Sequence, residues 1–278
     1  MNDVSVSVII PTYHREVLLL EAIGSVLRQT GVTLQVIVVD DSGRGTAREA
    51  VASVGDGRVH YIARRESSGG RPALVRNEGA SIARGRYLCF LDDDDLLEAG
   101  SLSALVAALD AAPTAGMAFG VIEPFGTDAA VLRLERSYFT KARRIAQRLR
   151  GPRELSARLV FLSTIIVNSA CMARRTAFVA SGGYDADIPI CEDTELWARI
   201  VDATGYVFLD RSVVRYRTGA PSLMHNLAVH DEKLDISYRR IQNKYRRAHG
   251  ALNFLAMKCW ARVILEPLDP DGLDADGR

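Results

Sequence analysis

Val4 to Ile10 is β-branched at five of its seven positions, and Leu34 to Val39 at four of its six. Apolar runs without alternation belong to strands buried on both faces, as in parallel sheets covered by helices. Between them, Glu16 to Gln29 carries apolar residues at Val17, Leu18, Leu20, Ala22, Ile23, Val26 and Leu27, which is helical spacing. The alternation continues with a helix over Thr46 to Val54, a short strand at Val59 to Ile62, a helix over Pro72 to Ala83 and a strand from Arg86 to Leu91. This order predicts right-handed βαβ units and a Rossmann-like, mainly parallel α/β sheet with helices on both faces. Beyond Gly100 the pattern changes. Ser101 to Ala111 reads as an amphipathic helix, Met117 to Phe125 as a strand, Val160 to Ala170 as an apolar β-branched stretch, and Asn226 to about Leu265 as helical. Residues 266–278 are acidic and rich in Pro and Gly, the composition of a frayed tail.

In open α/β sheets ligands bind outside the carboxyl ends of the strands. Those ends carry Pro11-Thr12-Tyr13, Asp40-Asp41 and Asp92-Asp93-Asp94-Asp95, so all three should line one crevice. Four consecutive acids are costly: at ~4 Å in an effective dielectric near 20, like charges repel by roughly 4 kcal/mol per pair. A cation relieves that repulsion, and carboxylate oxygens suit Mg²⁺ or Mn²⁺ held together with substrate phosphates. The competing reading is a solvated turn in which Asp95 caps the next helix, with Glu98 three residues on.

Composition narrows the field modestly. The 278 residues are 48% hydrophobic and 25% charged with a net charge of +1, so no global field favours nucleic acid. The cysteines Cys89, Cys171, Cys191 and Cys259 form no C-x-x-C pair, against a zinc or redox site. The absence of a signal-peptide pattern and of an 18-residue apolar stretch makes a cytoplasmic location the default expectation. Residues 133–153 are arginine-rich, with Arg133, Arg136, Lys141, Arg143, Arg144, Arg148, Arg150 and Arg153. They read as a solvated helix face, as an anionic acceptor site, or as a peripheral contact with the inner face of an acidic membrane.

Seven stretches in order give a resemblance. They are Val8-Ile9-Ile10-Pro11-Thr12-Tyr13-His14-Arg15, Ser25 to Thr30, Val36 to Asp41, Arg76-Asn77-Glu78-Gly79, Gly85 to Asp95, Gly182-Gly183-Tyr184-Asp185 and Glu192 to Trp197. Over about residues 4–220 the chain resembles glycosyltransferase family 2, inverting enzymes of GT-A fold that use nucleotide sugars. The resemblance implies that Asp92-Asp93-Asp94 is the D-x-D motif. Asp94 would bind Mn²⁺ or Mg²⁺ bridging the donor diphosphate, and Asp92 the ribose or the metal's water shell. Asp41 would contact the nucleobase, with Pro11 and Tyr13 packing on it, and Arg15, Arg76 and Asp93 would also serve the donor. Asp193 would be the catalytic base, oriented by Glu192. A base needs reach to the acceptor hydroxyl, and a metal-bound carboxylate has lost basicity, so separate acid clusters fit this division of labour.

The sequence departs from the family at His14, where Asn is common, and at Asp41-Ser42-Gly43, where Asp-Gly-Ser is usual. After Tyr216-Arg217 the expected histidine is missing, which leaves His225 as the candidate third metal ligand. Trp197 reads as packing behind the base, with acceptor stacking as the lesser reading, and Gly182-Gly183 as a turn of positive φ. The resemblance implies a donor half over 1–100 and an acceptor-binding half with the base over 101–225, and the pattern beyond them reads as a C-terminal helical extension and flexible tail over 226–278. It also implies a UDP-sugar donor, transfer of one hexose or N-acetylhexosamine, and a carbohydrate, lipid-linked or small-molecule acceptor. The C-terminal helices leave room for a homodimer. The alternatives are a nucleotide-sugar-binding protein without activity and a nucleotidyltransferase, although no glycine-rich loop follows the first strand. The missing G-x-G-x-x-G argues against a dehydrogenase.

Overall fold

A computed structural model describes residues 4–219 and 227–265, without the side chains of 227–231. The predicted alternation is present: β1 (Val6–Thr12), α1 (Glu16–Leu27), β2 (Leu34–Asp40), α2 (Arg48–Ser53), β3 (Val59–Ala63), α3 (Pro72–Ser81) and β4 (Tyr87–Phe90). β1 pairs in parallel with β2 and with β4, and β2 with β3. Every residue of β2 is buried, so helices cover both faces of this half. Gly79 of α3 shows how closely one helix lies. A Cβ there would come within 2.5 Å of Ile9 Cγ2 and 3.0 Å of Val39 Cγ2.

The second half is built differently. It contains β5 (Leu96–Leu97), α4 (Ser101–Ala111), β6 (Met117–Phe125), α5 (Ala129–Arg148), α6 (Pro152–Phe161), β7 (Cys171–Arg174), α7 (Arg175–Ser181), α8 (Glu192–Thr204) and β8 (Tyr206–Arg217). The strands make one eight-stranded sheet ordered β3-β2-β1-β4-β7-β6-β8-β5. β7 runs antiparallel to both β4 and β6, whereas β6 and β8 are parallel across a bulge near Gly120. The sheet is therefore mixed: its parallel block ends at β4. The apolar stretch Val160–Ala170 is the end of α6, a loop and a 3₁₀ turn rather than a strand.

α5 is the arginine-rich segment. Asp128 caps it by accepting from Ala130 N (2.9 Å) and Val131 N (3.1 Å), and Phe139, Ala142, Ile145 and Ala146 face the core. Arg133, Arg136, Arg143, Arg144 and Arg148 lie on its exposed side. The C-terminal helical region is broken by Gly250 into α9 (Leu227–His249) and α10 (Ala251–Trp260), followed by a π-helical turn at Ala261–Leu265. No helix among the described residues is long and apolar enough to cross a membrane.

Candidate active site

The three strand ends do converge. Thr12, at the end of β1, donates from Oγ1 to Asp93 Oδ2 at 2.7 Å, and its carbonyl accepts from Asp41 N at 2.9 Å. Arg15 reaches back from the start of α1 with Nη1 3.2 Å from Asp93 Oδ1 and 2.8 Å from Asp94 Oδ2. His14 stands between them at φ 53°. That left-handed conformation is one that Asn and His adopt more readily than most residues, which explains His14 at a position where Asn is expected. Pro11 is half-buried in β1 and Tyr13 is 55% exposed at the rim, edge-on to His14 at 4.4 Å.

Burial pushes Asp93 up to about 6, and Asp94 and Asp92 add to the rise against Thr12 and Arg15. Asp94 is also raised, first by burial and then by Asp92, with Arg15 opposing. Asp95 is not a helix cap. It is buried, Oδ1 accepts from Arg217 N at 2.9 Å, and Arg217 Nε donates to the Asp94 carbonyl at 2.8 Å. β5 follows it, and α4 begins only at Ser101, after Gly100 at φ 69°. Asp95 thus ties the end of β8 to the acidic turn, a long-range role that local capping rules cannot reveal.

Arg76 of α3 joins this turn to the second acid cluster. Its buried guanidinium donates from Nη2 to Asp92 Oδ1 at 2.6 Å and from Nη1 to Glu192 Oε1, and it lies over the Tyr184 ring at 5.6 Å. Burial works against its charge, but Asp92 and Glu192 outweigh that. Glu192 and Asp193 open α8, so Asp193 is not the cap either: Cys191 holds that place at φ 59°. Burial pushes Glu192 up to about 7, with Arg76 opposing and Asp193 adding. Asp193, at the partly exposed edge of the cluster, is likewise raised first by burial, against Arg76 and its hydrogen bond from Thr194 N at 2.7 Å.

Asp41 accepts from Ser68 N (2.7 Å) and Ser68 Oγ (2.6 Å), with Arg64 Nη1 at 3.6 Å, so the β3–α3 loop holds it. His225 lies outside the described residues. Trp197 is fully buried and packs near Phe90 with ring centroids 6.5 Å apart, behind the cluster.

Several contributors were not singled out from sequence. Asp40 is pushed up by burial, yet hydrogen bonds from Tyr61 (2.7 Å), Ala47 (2.9 Å) and Ser42 (2.8 Å) hold it below the usual carboxylate range and fix the β2–α2 loop. Asn77 clamps the turn before α8 by accepting from Tyr184 N at 2.9 Å and donating to Tyr184 O at 2.8 Å. Gly183, at φ 74°, makes room for it, since a Cβ there would sit 2.7 Å from Asn77 Oδ1. Behind α8, Glu195 accepts from Arg199 at 2.6 Å and pairs with Lys244 of α9 at 2.6 Å. Lys244 also pairs with Asp185 at 2.7 Å. Asn77 and Tyr184 belong to the stretches that carry the resemblance, a signal that could have marked them. Lys244 carries none, because its partners lie far away in sequence.

Among the described residues no three His, Cys, Asp or Glu side chains form a metal cage. The donor set nevertheless fits a hard divalent cation: Asp92 and Asp94 are carboxylates on one partly exposed turn, paired with Arg76 and Arg15. Mg²⁺-type sites of this kind use one or two carboxylates and take their other oxygens from substrate phosphate and water.

Comparison with known proteins identifies the family and the fold. A glucosyltransferase of Campylobacter jejuni, named GalNAc(5)-diNAcBac-PP-undecaprenol beta-1,3-glucosyltransferase, is 38% identical over 102 residues, covering 36% of this chain and 33% of that protein. The chain matches no more than about a third of the length of the first curated relatives it resembles. Two solved structures share the fold. S. aureus TarS 1–349 superposes with a TM-score of 0.66 at 16% identity, over 98% of this chain and 76% of that one. TarS structures with UDP and with UDP-GlcNAc also match. The mannosyltransferase PcManGT of Pyrobaculum calidifontis, in complex with GDP-Man and Mn²⁺, gives 0.65 at 17% identity, over 97% and 73%. The fold is thus the GT-A fold of glycosyltransferases. The family model for glycosyl transferase family 2 matches residues 7–180, from β1 through the acidic turn to α7, and to that family the chain belongs.

Proposed function

We propose that this chain is a metal-dependent, inverting glycosyltransferase that moves one sugar from a UDP-sugar to a hydroxyl of a glycan, lipid-linked or natural-product acceptor. The observation that carries the reading is Arg76, buried between Asp92 of the acidic turn and Glu192 of the α8 terminus. Its two ion pairs join these acid clusters, which supports reading them as the donor side and the base side of one site. Asp94, with Asp92, would hold Mn²⁺ or Mg²⁺, which supplies positive charge for the leaving diphosphate. Arg15 adds cationic charge at the same place. Asp193 accepts the proton of the acceptor hydroxyl, and Glu192 with Arg76 orients it. A raised carboxyl is a stronger base than an ordinary one, which suits this step. Attack from the face opposite the leaving group inverts the anomeric centre. Asp41, Pro11 and Tyr13 form the nucleobase side and Asp93 braces the turn through Thr12.

The division into a donor half (1–100), an acceptor half with the base (101–225) and a helical extension (226–278) follows the same reading. TarS in complex with UDP-GlcNAc supports a UDP-sugar, PcManGT with Mn²⁺ supports the metal, and the C. jejuni relative supports a lipid-linked acceptor. With such an acceptor, the basic side of α5 would face an acidic membrane.

A thermal-shift series with UDP, GDP, dTDP, CDP and ADP, each with and without Mn²⁺, tests the donor side. A ligand at 100 times its Kd adds about 2.7 kcal/mol. Stabilisation by UDP that requires Mn²⁺ is expected, and stabilisation by none of them with metal would remove the reading.

A further inference from the structure

α10 and the π-helical turn after it are apolar on two sides. The inner side, Met257, Ala261 and Leu265, packs against Ala157 of α6. The outer side carries Leu252 (84% exposed), Leu255 (56%), Val263 (67%) and Ile264 (50%). Residues 252, 255, 259 and 263 follow helical spacing, so Leu252, Leu255, the exposed Cys259 and Val263 form one stripe. A helix that is apolar all round is ordinarily covered on every side.

Charge indicates what covers it. From Ile236 to Leu265 there is no acidic residue but seven cations: Arg239, Arg240, Lys244, Arg246, Arg247, Lys258 and Arg262. Lys244 is consumed by Glu195 and Asp185, while Arg246, Arg247 and Arg262 are exposed. Arg153, at the start of α6, stacks over Trp260 at 6.0 Å and extends the basic border. Acids resume at Glu266. A second copy is a poor cover, since an isologous interface would set this basic surface against itself. The segment 251–265 is also too short to span a bilayer, which needs about 20 apolar residues. Aliphatic residues bordered by cations are the pattern of a helix lying in a lipid interface.

We infer that the outer face of α10 and the π turn, Leu252, Leu255, Val263 and Ile264 with Arg246, Arg247 and Arg262, inserts into the headgroup region of an anionic phospholipid bilayer. This extends the membrane contact of the proposed function to residues other than α5, and binding to lipid requires neither donor nor turnover. The surface would hold the site beside a lipid-borne acceptor.

The test is flotation of the full chain with vesicles of phosphatidylcholine alone or mixed equally with phosphatidylglycerol. The expected result is binding to the mixed vesicles at least about tenfold tighter than to phosphatidylcholine, weakened by salt. A fluorophore on Cys259 should shift to the blue as the vesicles are added. Leu252→Gln with Leu255→Gln should lower binding about tenfold, while the UDP-dependent thermal shift stays unchanged. Arg246→Gln with Arg247→Gln should also weaken it. If Arg133→Gln with Arg136→Gln removes binding and the leucine pair does not, the α5 contact stands and this inference falls. Equal affinity for the two vesicle types, or self-association that the leucine substitutions abolish without any lipid binding, overturns it as well. Loss of the nucleotide response with lipid binding intact would instead strike the proposed function.

Discussion

The two halves of the molecule deliver their acids to the site by different means. In the first, β1, β2 and β4 are neighbours in a parallel block, and each hands a residue to the crevice at its carboxyl end: Thr12, Asp41 and Asp92. The supporting contacts join neighbouring strands of that block, as from the end of β1 to the turn after β4 (Thr12 to Asp93) or from β3 to β2 (Tyr61 to Asp40). In the second, Glu192 and Asp193, the acids proposed to act on the acceptor, sit at the start of a helix whose place is fixed from afar. Arg76 holds Glu192 across 116 residues and Asn77 holds Tyr184 across 107. Lys244 reaches Glu195 from α9. Phe90 of β4 meets Tyr184 edge-on at 5.0 Å and Phe178 at 5.3 Å, so an aromatic cluster backs this junction. The side proposed to bind the donor is thus built by neighbouring strand ends, whereas the side proposed to carry the base is assembled around a helix start and is more vulnerable to loss of a single partner.

Substitutions on each side put that difference at risk. The largest expected effect is chemical: Asp193→Asn should cut kcat by about 10²-fold or more with nucleotide affinity unchanged, checked by steady-state kinetics beside a binding titration. Unaltered turnover would take Asp193 out of the mechanism. Arg76→Met should cost about 3–5 kcal/mol in denaturant unfolding, because it strands the buried Glu192 carboxylate and leaves the half-exposed Asp92 without its cation. Arg15→Met, whose side chain is 30% exposed, should cost under about 1 kcal/mol and instead weaken Mn²⁺-dependent UDP binding. Equal stability losses would erase the contrast between the halves.

Lys244→Met should lower stability by about 1–3 kcal/mol, since Glu195 is left buried with Arg199 as its remaining cation. Its catalytic effect should fall on kcat more than on the donor KM. The smallest effect is a shift in pH dependence. A base works only when ionised, so activity falls as pH drops through its pKa. Glu192 is raised from 4.5 to about 7 and Asp193 is raised too, so the acid limb should lie above the ordinary carboxylate range. Glu192→Gln should move that limb downward. An acid limb near 4 in the unsubstituted protein would show that neither raised group governs the step.

The boundaries of α4 and β6 follow directly from periodicity, and those of the first three strands within two residues; burial on both faces leaves an apolar signature in β1 and β2, while the half-buried β3 shows only a short β-branched and aromatic run. The convergence of three strand ends was equally legible, as it depends only on parallel order. The antiparallel insertion of β7 between β4 and β6 was not, since pairing of strands distant in sequence leaves no local pattern. Asp95 misled for the same reason: four acids in a row and a glutamate three places on look like a cap, while its actual partner, Arg217, lies 122 residues away.

Sequence by itself therefore determined the α/β class, the acidic strand end and the family, because hydrophobic period and motif order are properties of neighbouring residues. Only the tertiary structure decided that Arg76 spans both acid clusters, that Lys244 braces α8, and that α10 turns an apolar stripe outward. Each of these depends on which distant groups share a buried environment, where the cost of an unpaired charge selects the partner.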